Sequence, residues 1–189
     1  MSLTLIDGEL VAERRPLNLP EEEKRPVVCV FDPLINFHWP LLESCFGDLV
    51  GLLDILKFDA KSFSRSEIDE GSIGPLTSID FIVGLQPVLV ISDLVLTPYT
   101  QYDCSFGIKM LTNLFGDEHL DQTGLILISN FSKPRISGAL NRTNLKFRAK
   151  KTFDWDILKE NEAQRAVLSN LIFEAYAGNI PDWPDMNIS

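Results

Sequence analysis

The sequence predicts an α/β domain built on a doubly wound, five-stranded parallel sheet with helices on both faces. Short all-apolar runs rich in β-branched residues, such as "VVCVF" and "VLVIS", read as strands buried on both faces. Between them lie segments whose apolar residues recur at threes and fours, and parallel strands need such crossover helices. Several of the runs stop abruptly at a polar residue, which in a parallel sheet puts those residues together at one edge.

Taken in order, residues 1–25 form an N-terminal arm, with Pro16 and Pro20 around the acidic run "EEEK" and a hairpin predicted around Asp7-Gly8. The domain is expected over 26–177. "VVCVF" (27–31) is its first strand, and a helix follows from Pro33 to about Leu56 on the spacing of Leu41, Leu42, Phe46, Leu49, Leu52, Leu53 and Leu56. "KFDAKSF" (57–63) alternates as a poorer second strand. After a polar loop, 76–85 returns to helical spacing and Pro87 ends it. "VLVIS" (88–92) is the third strand, Gly107 to Phe115 a helix, "GLILIS" (124–129) the fourth strand, and "KPRISGAL" a further helix. "LKFRAK" (145–150) is the fifth strand. One long helix then runs from Asp154 to about Ala177, and 178–189 is a C-terminal tail. Ile157, Leu158, Ala166, Leu168, Leu171, Ile172, Ala175 and Tyr176 give that helix more apolar positions than one sheet face needs, which predicts a partner or a second copy of the chain, as in a homodimer.

Composition narrows the function. The chain has 189 residues, a hydrophobic fraction of 45% and a net charge of −10. No apolar run has the length of a membrane span, and the N-terminus lacks the apolar stretch of a secretory signal, so no membrane association and a cytoplasmic location are expected. An acidic surface is a poor match for a phosphate backbone, so direct nucleic-acid binding is not expected. Cys29, Cys45 and Cys104 are far apart and predict reduced, mostly buried thiols. His38 and His119 lack metal-ligand spacing, and His38 beside Trp39 reads as part of a helix start.

Asp32, Asp93 and Ser129 each follow or end a buried strand, and Lys150 and Lys151 stand at the end of the fifth. A helix-capping Asp or Ser and a solvated Lys explain each one singly. Their convergence at one sheet edge points instead to a site, because a buried carboxylate costs several kcal/mol unless paired or bound to a metal.

In these residues the chain resembles the receiver domain of two-component response regulators, over about 26–177. "VVCVFDP" looks like the family's first strand with its acidic end, "LVISDLVL" like the third strand with the phospho-accepting aspartate, "LILISN" like the fourth with its Thr/Ser, and "AKKTFDWDIL" like the Lys-Pro-Phe turn into the last helix. The resemblance implies phosphorylation on Asp93 and a Mg²⁺ cofactor held by Asp32, Asp93 and the carbonyl of Val95. It also implies phosphate binding by Ser129 and Lys151, with Lys150 as the alternative lysine in a register that would place Phe147 rather than Arg148 at the family's switch aromatic. The chemistry suits these residue types: an aspartate attacking a phosphohistidine needs Mg²⁺ and a lysine to neutralise the arriving charge. Implied partners are a histidine kinase or phosphotransfer protein and an output protein reached by contact, since the length predicts no separate DNA-binding domain.

Three departures accompany the resemblance. Phe31 replaces one of the family's two consecutive acids, Thr152 stands where a proline follows the lysine, and "LVLTPYTQYDCSFG" lengthens the connection after Asp93. The principal alternative is therefore a degenerate receiver that acts as an interaction module without phosphorylation. A small enzyme of flavodoxin-like or phosphatase type is a third reading, disfavoured because no glycine-rich phosphate loop or cysteine nucleophile follows a strand.

Overall fold

In the computed structural model the described residues are 2–6, 9–13, 25–59, 72–74, 77–96, 104–116, 120–130, 138, 140, 143 and 149–179. Strands β1 (Ser2–Ile6) and β2 (Glu9–Glu13) pair antiparallel as the expected hairpin, closing with Ile6 opposite Glu9. β3 (Val27–Phe31) opens the main sheet. Its alternation splits the chain's apolar interior in two: Val28 and Val30 enter one core, Cys29 and Phe31 the other, and all four are almost fully buried. That two-sided burial is why the run has no polar residue.

Helix α1 (Ile35–Phe46) follows and stops at Gly47, whose φ of +53° is cheap only for glycine. A 3-10 turn (Gly47–Gly51) leads into β4 (Asp54–Phe58). The expected helix to Leu56 and strand 57–63 are thus corrected: the helix ends ten residues sooner and the strand starts three residues earlier. Leu49, Leu52 and Leu53 continue the helical spacing, but Gly47 turns the backbone out of the helix before them. β5 (Ser72–Gly74) and β6 (Thr77–Ser78) form a small antiparallel pair before α2 (Ile79–Leu85). β7 (Leu89–Ser92), α3 (Ser105–Leu114) and β8 (Gly124–Ile128) come next. β9 (Ala149–Phe153) precedes α4 (Trp155–Glu160) and α5 (Glu162–Tyr176).

The main sheet has five strands in the order β4-β3-β7-β8-β9, and all four pairings are parallel. Counted along the chain this is the order 2-1-3-4-5 of the flavodoxin-like doubly wound fold, as predicted. α1, α4 and α5 pack on one face through residues such as Leu42, Leu158 and Ile172, while α2 and α3 cover the other through Ile82, Met110 and Leu111. The predicted final helix is interrupted. Asp154 caps α4 by accepting from the amides of Asp156 and Ile157, and Asn161 caps α5 by accepting from Gln164. Arg165 Nη1 donates to the carbonyls of Leu158 and Lys159, satisfying the end of α4 at the break.

β9 also differs from expectation. Sequence alternation favours 145–150, whereas the strand covers 149–153, so Lys150 and Lys151 lie inside it. Both "LKFRAK" and "AKKTF" suit a strand, and the pairing of Phe153 with Ile128 fixes the later register. The loop residues 97–103, the tail 180–189, Phe147, Arg148, His119 and most of the expected helix 133–140 lie outside the described residues.

Candidate functional site

Each strand of the sheet centre continues for one more hydrogen bond before the chain turns away. Asp32 N–H donates to Phe58 O at 3.1 Å, Asp93 N–H to Phe31 O at 2.8 Å, and Ser129 N–H to Phe153 O at 2.9 Å. Asp32, Asp93 and Ser129 therefore stand one residue past β3, β7 and β8 at the same C-terminal edge, and all three are buried. This is the convergence the sequence predicts.

The two carboxylates are held in the same manner. Asp32 accepts the Leu34 amide on Oδ1 at 2.8 Å and the His38 Nδ1 hydrogen bond on Oδ2 at 2.7 Å. Asp93 accepts the Val95 amide on Oδ1 at 2.9 Å and the indole Nε1–H of Trp155 on Oδ2 at 3.1 Å. Each aspartate thus makes a local turn with the amide two residues on and receives one ring N–H from a helix. An ionised carboxylate has no proton to give, so with Asp32 ionised Nδ1 of His38 carries the hydrogen.

The two rings close the circuit. His38, from the first turns of α1, and Trp155, the first residue of α4, stack with centroids 3.9 Å apart and planes at 15°. Trp155 is fixed further by its own amide, which donates to Asn130 Oδ1 at 3.2 Å. Asp32, His38, Trp155 and Asp93 form an unbroken chain that joins the ends of β3 and β7 through two helices. Phe37 meets the outer edge of His38 at 5.3 Å.

Burial pushes the Asp93 carboxyl up to about 6. The Val95 and Trp155 hydrogen bonds pull it down, the neighbouring Asp32 charge adds to the rise, and the Ser129 hydroxyl has the smallest downward influence. Ser129 Oγ lies near enough to act on that charge, yet among the described residues it has no partner within hydrogen-bonding geometry.

Sequence reasoning identified Asp32, Asp93 and Ser129 but not His38 or Trp155 as members of the site. A signal for His38 was present: it sits on the buried stripe Ile35, His38, Leu42, Cys45, where a polar ring needs a partner. Trp155 is 62 positions from Asp93 and gave no comparable signal. Val95 contributes its N–H to Asp93. Lys151 pairs with Ile126 in the sheet, two residues before the end of β9, and the side chains of Lys150 and Lys151 lie outside the described residues.

The residues present do not fit Mg²⁺ in this arrangement. Magnesium requires several hard oxygens in an octahedron. Here both oxygens of each carboxylate already take an N–H, and the position of the second acid is Phe31, buried and stacked on Phe58 at 4.7 Å. Among the described residues no three His, Cys, Asp or Glu side chains are grouped to hold a metal ion.

No family model matches the sequence, and no curated protein matches it. Among solved structures the chain is similar to a LuxR-family DNA-binding response regulator from Staphylococcus aureus, at 14% identity and a TM-score of 0.48, covering 80% of this chain and 98% of that one. It is also similar to the signal receiver domain of a DNA-binding response regulator from Colwellia psychrerythraea 34H, at 12% identity and a TM-score of 0.48, covering 79% and 99%. No helix among the described residues is long and apolar enough to cross a membrane.

Proposed function

We propose that the chain is a receiver-like signalling module that works by protein contact and keeps its acidic pocket closed without a phosphoryl step. One observation carries this reading: the oxygens of Asp32 and Asp93 are taken by donors of the chain itself, two backbone amides and two stacked rings. A phospho-accepting aspartate needs a free oxygen facing a cation and the incoming phosphorus. Each oxygen of Asp93 already accepts one N–H, with which a cation or a phosphoryl group would have to compete. The doubly wound topology and the convergence of Asp32, Asp93 and Ser129 support the receiver-like part of the reading. The buried Phe31 supports the degenerate part.

A second reading has one observation in its favour. The buried hydroxyl of Ser129, which has no partner among the described residues, suits a phosphoryl oxygen beside Asp93, as in a domain that takes a phosphoryl group on Asp93 from a histidine kinase or phosphotransfer protein with Mg²⁺. The intact mass of the chain after incubation with acetyl phosphate and Mg²⁺ separates the two. An unchanged mass is expected. A gain of one phosphoryl group that Asp93→Asn abolishes would overturn the contact-only reading in favour of the second.

A further inference from the structure

We propose that His38 and Trp155 form an aromatic latch that takes the place of a divalent cation, holding both carboxylates and excluding metal from the pocket. The proposal deepens the contact-only reading and rests on it.

The latch begins with the costs of burial. His38 is only 6% exposed and Trp155 2%, so each ring N–H needs an acceptor inside the protein. The acceptors available at this edge are Asp32 and Asp93, which carry the opposite need. The 2.7 Å contact from Nδ1 to Asp32 has the short length of a hydrogen bond to a charged group. Removing either ring donor would leave a buried carboxylate short of a partner, and a cation approaching the pair must compete with both donors for the carboxylate oxygens.

Stacking makes the two donors one unit. With the rings nearly parallel at 3.9 Å, His38 cannot swing off Asp32 without uncovering Trp155, and Trp155 cannot leave Asp93 without uncovering His38. The rings also come from opposite ends of the chain, α1 and α4. The latch therefore fastens the first βα unit of the sheet to the last, which Mg²⁺ ligands drawn from β3 and β7 alone would not do. A cation entering between the carboxylates would meet N–H groups aimed at the oxygens it needs.

Mn²⁺ titrated into the full chain, followed by water-proton relaxation, tests the latch. No saturable binding is expected for the wild type. Trp155→Phe keeps an aromatic ring on His38 and removes only the Asp93 donor, so it should stay folded and gain saturable Mn²⁺ binding. Losing one hydrogen bond to a charged group corresponds to about tenfold to hundredfold in affinity. His38→Ala, checked by thermal melting, should gain at least as much, and adding Asp93→Asn to either variant should abolish the gain. Saturable binding by the wild type that Asp93→Asn removes would overturn the latch, as would a folded Trp155→Phe that binds no better than wild type. If the latter occurs while acetyl phosphate still leaves the mass unchanged, the latch fails and the contact-only function stands; a mass gain in the wild type refutes the function itself.

Discussion

Asp32 and Asp93 stand at matching places, each one residue past a central parallel strand, each in a turn with the amide two residues on, and each facing one ring nitrogen. They differ in what the ring can bring. The imidazole of His38 can share a proton and a charge with Asp32 at 2.7 Å, whereas the indole of Trp155 offers Asp93 only a neutral dipole at 3.1 Å. For Asp93 burial outweighs its two hydrogen bonds, and the carboxyl is pushed up to about 6. The comparison teaches that two hydrogen bonds do not by themselves keep a buried acid in its usual range: at Asp93 the cost of burial outweighs them.

The largest effect should come from restoring an acid beside Asp32. Phe31 is fully buried and stacked on Phe58, on the face of the sheet away from the latch. Phe31→Asp would lose that packing and bury an unpaired charge, so it should destabilise by at least about 4 kcal/mol. Urea denaturation measures this. A variant as stable as wild type would mean that position 31 opens to the pocket and that a second carboxylate can be accommodated there.

Next in size is the pH dependence due to Asp93. Its folded pKa of about 6 lies above the ordinary aspartate value of 3.8, so the folded state holds the proton more tightly than the unfolded state. The resulting stabilisation is fully present below about pH 4 and is lost as pH rises through about 6, a span of about 3 kcal/mol. Asp93→Asn should flatten that part of the profile. Near neutral pH its net effect should be small, because relief of the buried charge is offset by an amide NH₂ that faces a donor. Matched urea titrations from pH 4 to 8 check the difference, and identical slopes would place Asp93 in water.

How much of this was legible in the sequence follows from which forces act locally. β3, β7 and β8 read clearly because burial on both faces leaves continuous apolar runs, and Asp32, Asp93 and Ser129 followed from where those runs stop. The end of α1 was illegible, since Leu49, Leu52 and Leu53 extend the helical period and only the positive φ of Gly47 ends it. β9 was misplaced because charged and apolar residues alternate through 145–150, whereas the polar run Lys150, Lys151 and Thr152 hides the strand at 149–153. Its register depends on pairing with Ile128, a long-range fact. The break at Asn161 is a capping effect within a segment whose apolar content reads as one helix. His38 was readable from its apolar stripe once a partner was sought; Trp155 joins Asp93 from beyond the edge strand β9, 62 positions away, which no local pattern encodes.

A smaller effect tests the Asp93 side through its backbone. A Cβ on Gly107 would collide with the carbonyl oxygen of Leu94, the residue after Asp93, and lie 2.9 Å from its carbonyl carbon. Backbone cannot yield as a side chain can, so α3 would have to move off the loop. Gly107→Ala should destabilise by about 2 kcal/mol. Gly84 in α2 has nothing among the described residues within 4 Å of the same position, and Gly84→Ala should stabilise by roughly 0.5–1 kcal/mol through helix propensity. Opposite signs in the two melts would show that close approach to the Asp93 loop, and not the helix itself, demands glycine at 107.

An effect of no more than the size expected at Gly107 separates the two carboxylates most directly. Trp155→Phe removes the donor to Asp93 Oδ2 while leaving a ring to cover His38, so it should cost about 1–2 kcal/mol at neutral pH. The sign of its pH dependence follows from Asp93: with one stabilising hydrogen bond gone, the ionised form is worse off and the carboxyl moves further above about 6. The variant should therefore lose more stability at pH 7 than at pH 4, where Asp93 holds its proton in both proteins. The Asp32 side gives the control. His38 keeps its 2.7 Å hydrogen bond, so the Nδ1–H resonance of His38 should stay where it is in wild type while the Asp93 carboxyl carbon titrates later. If both signals move together, the two halves of the site act as one electrostatic unit and the contrast between an imidazole and an indole partner does not set the state of Asp93.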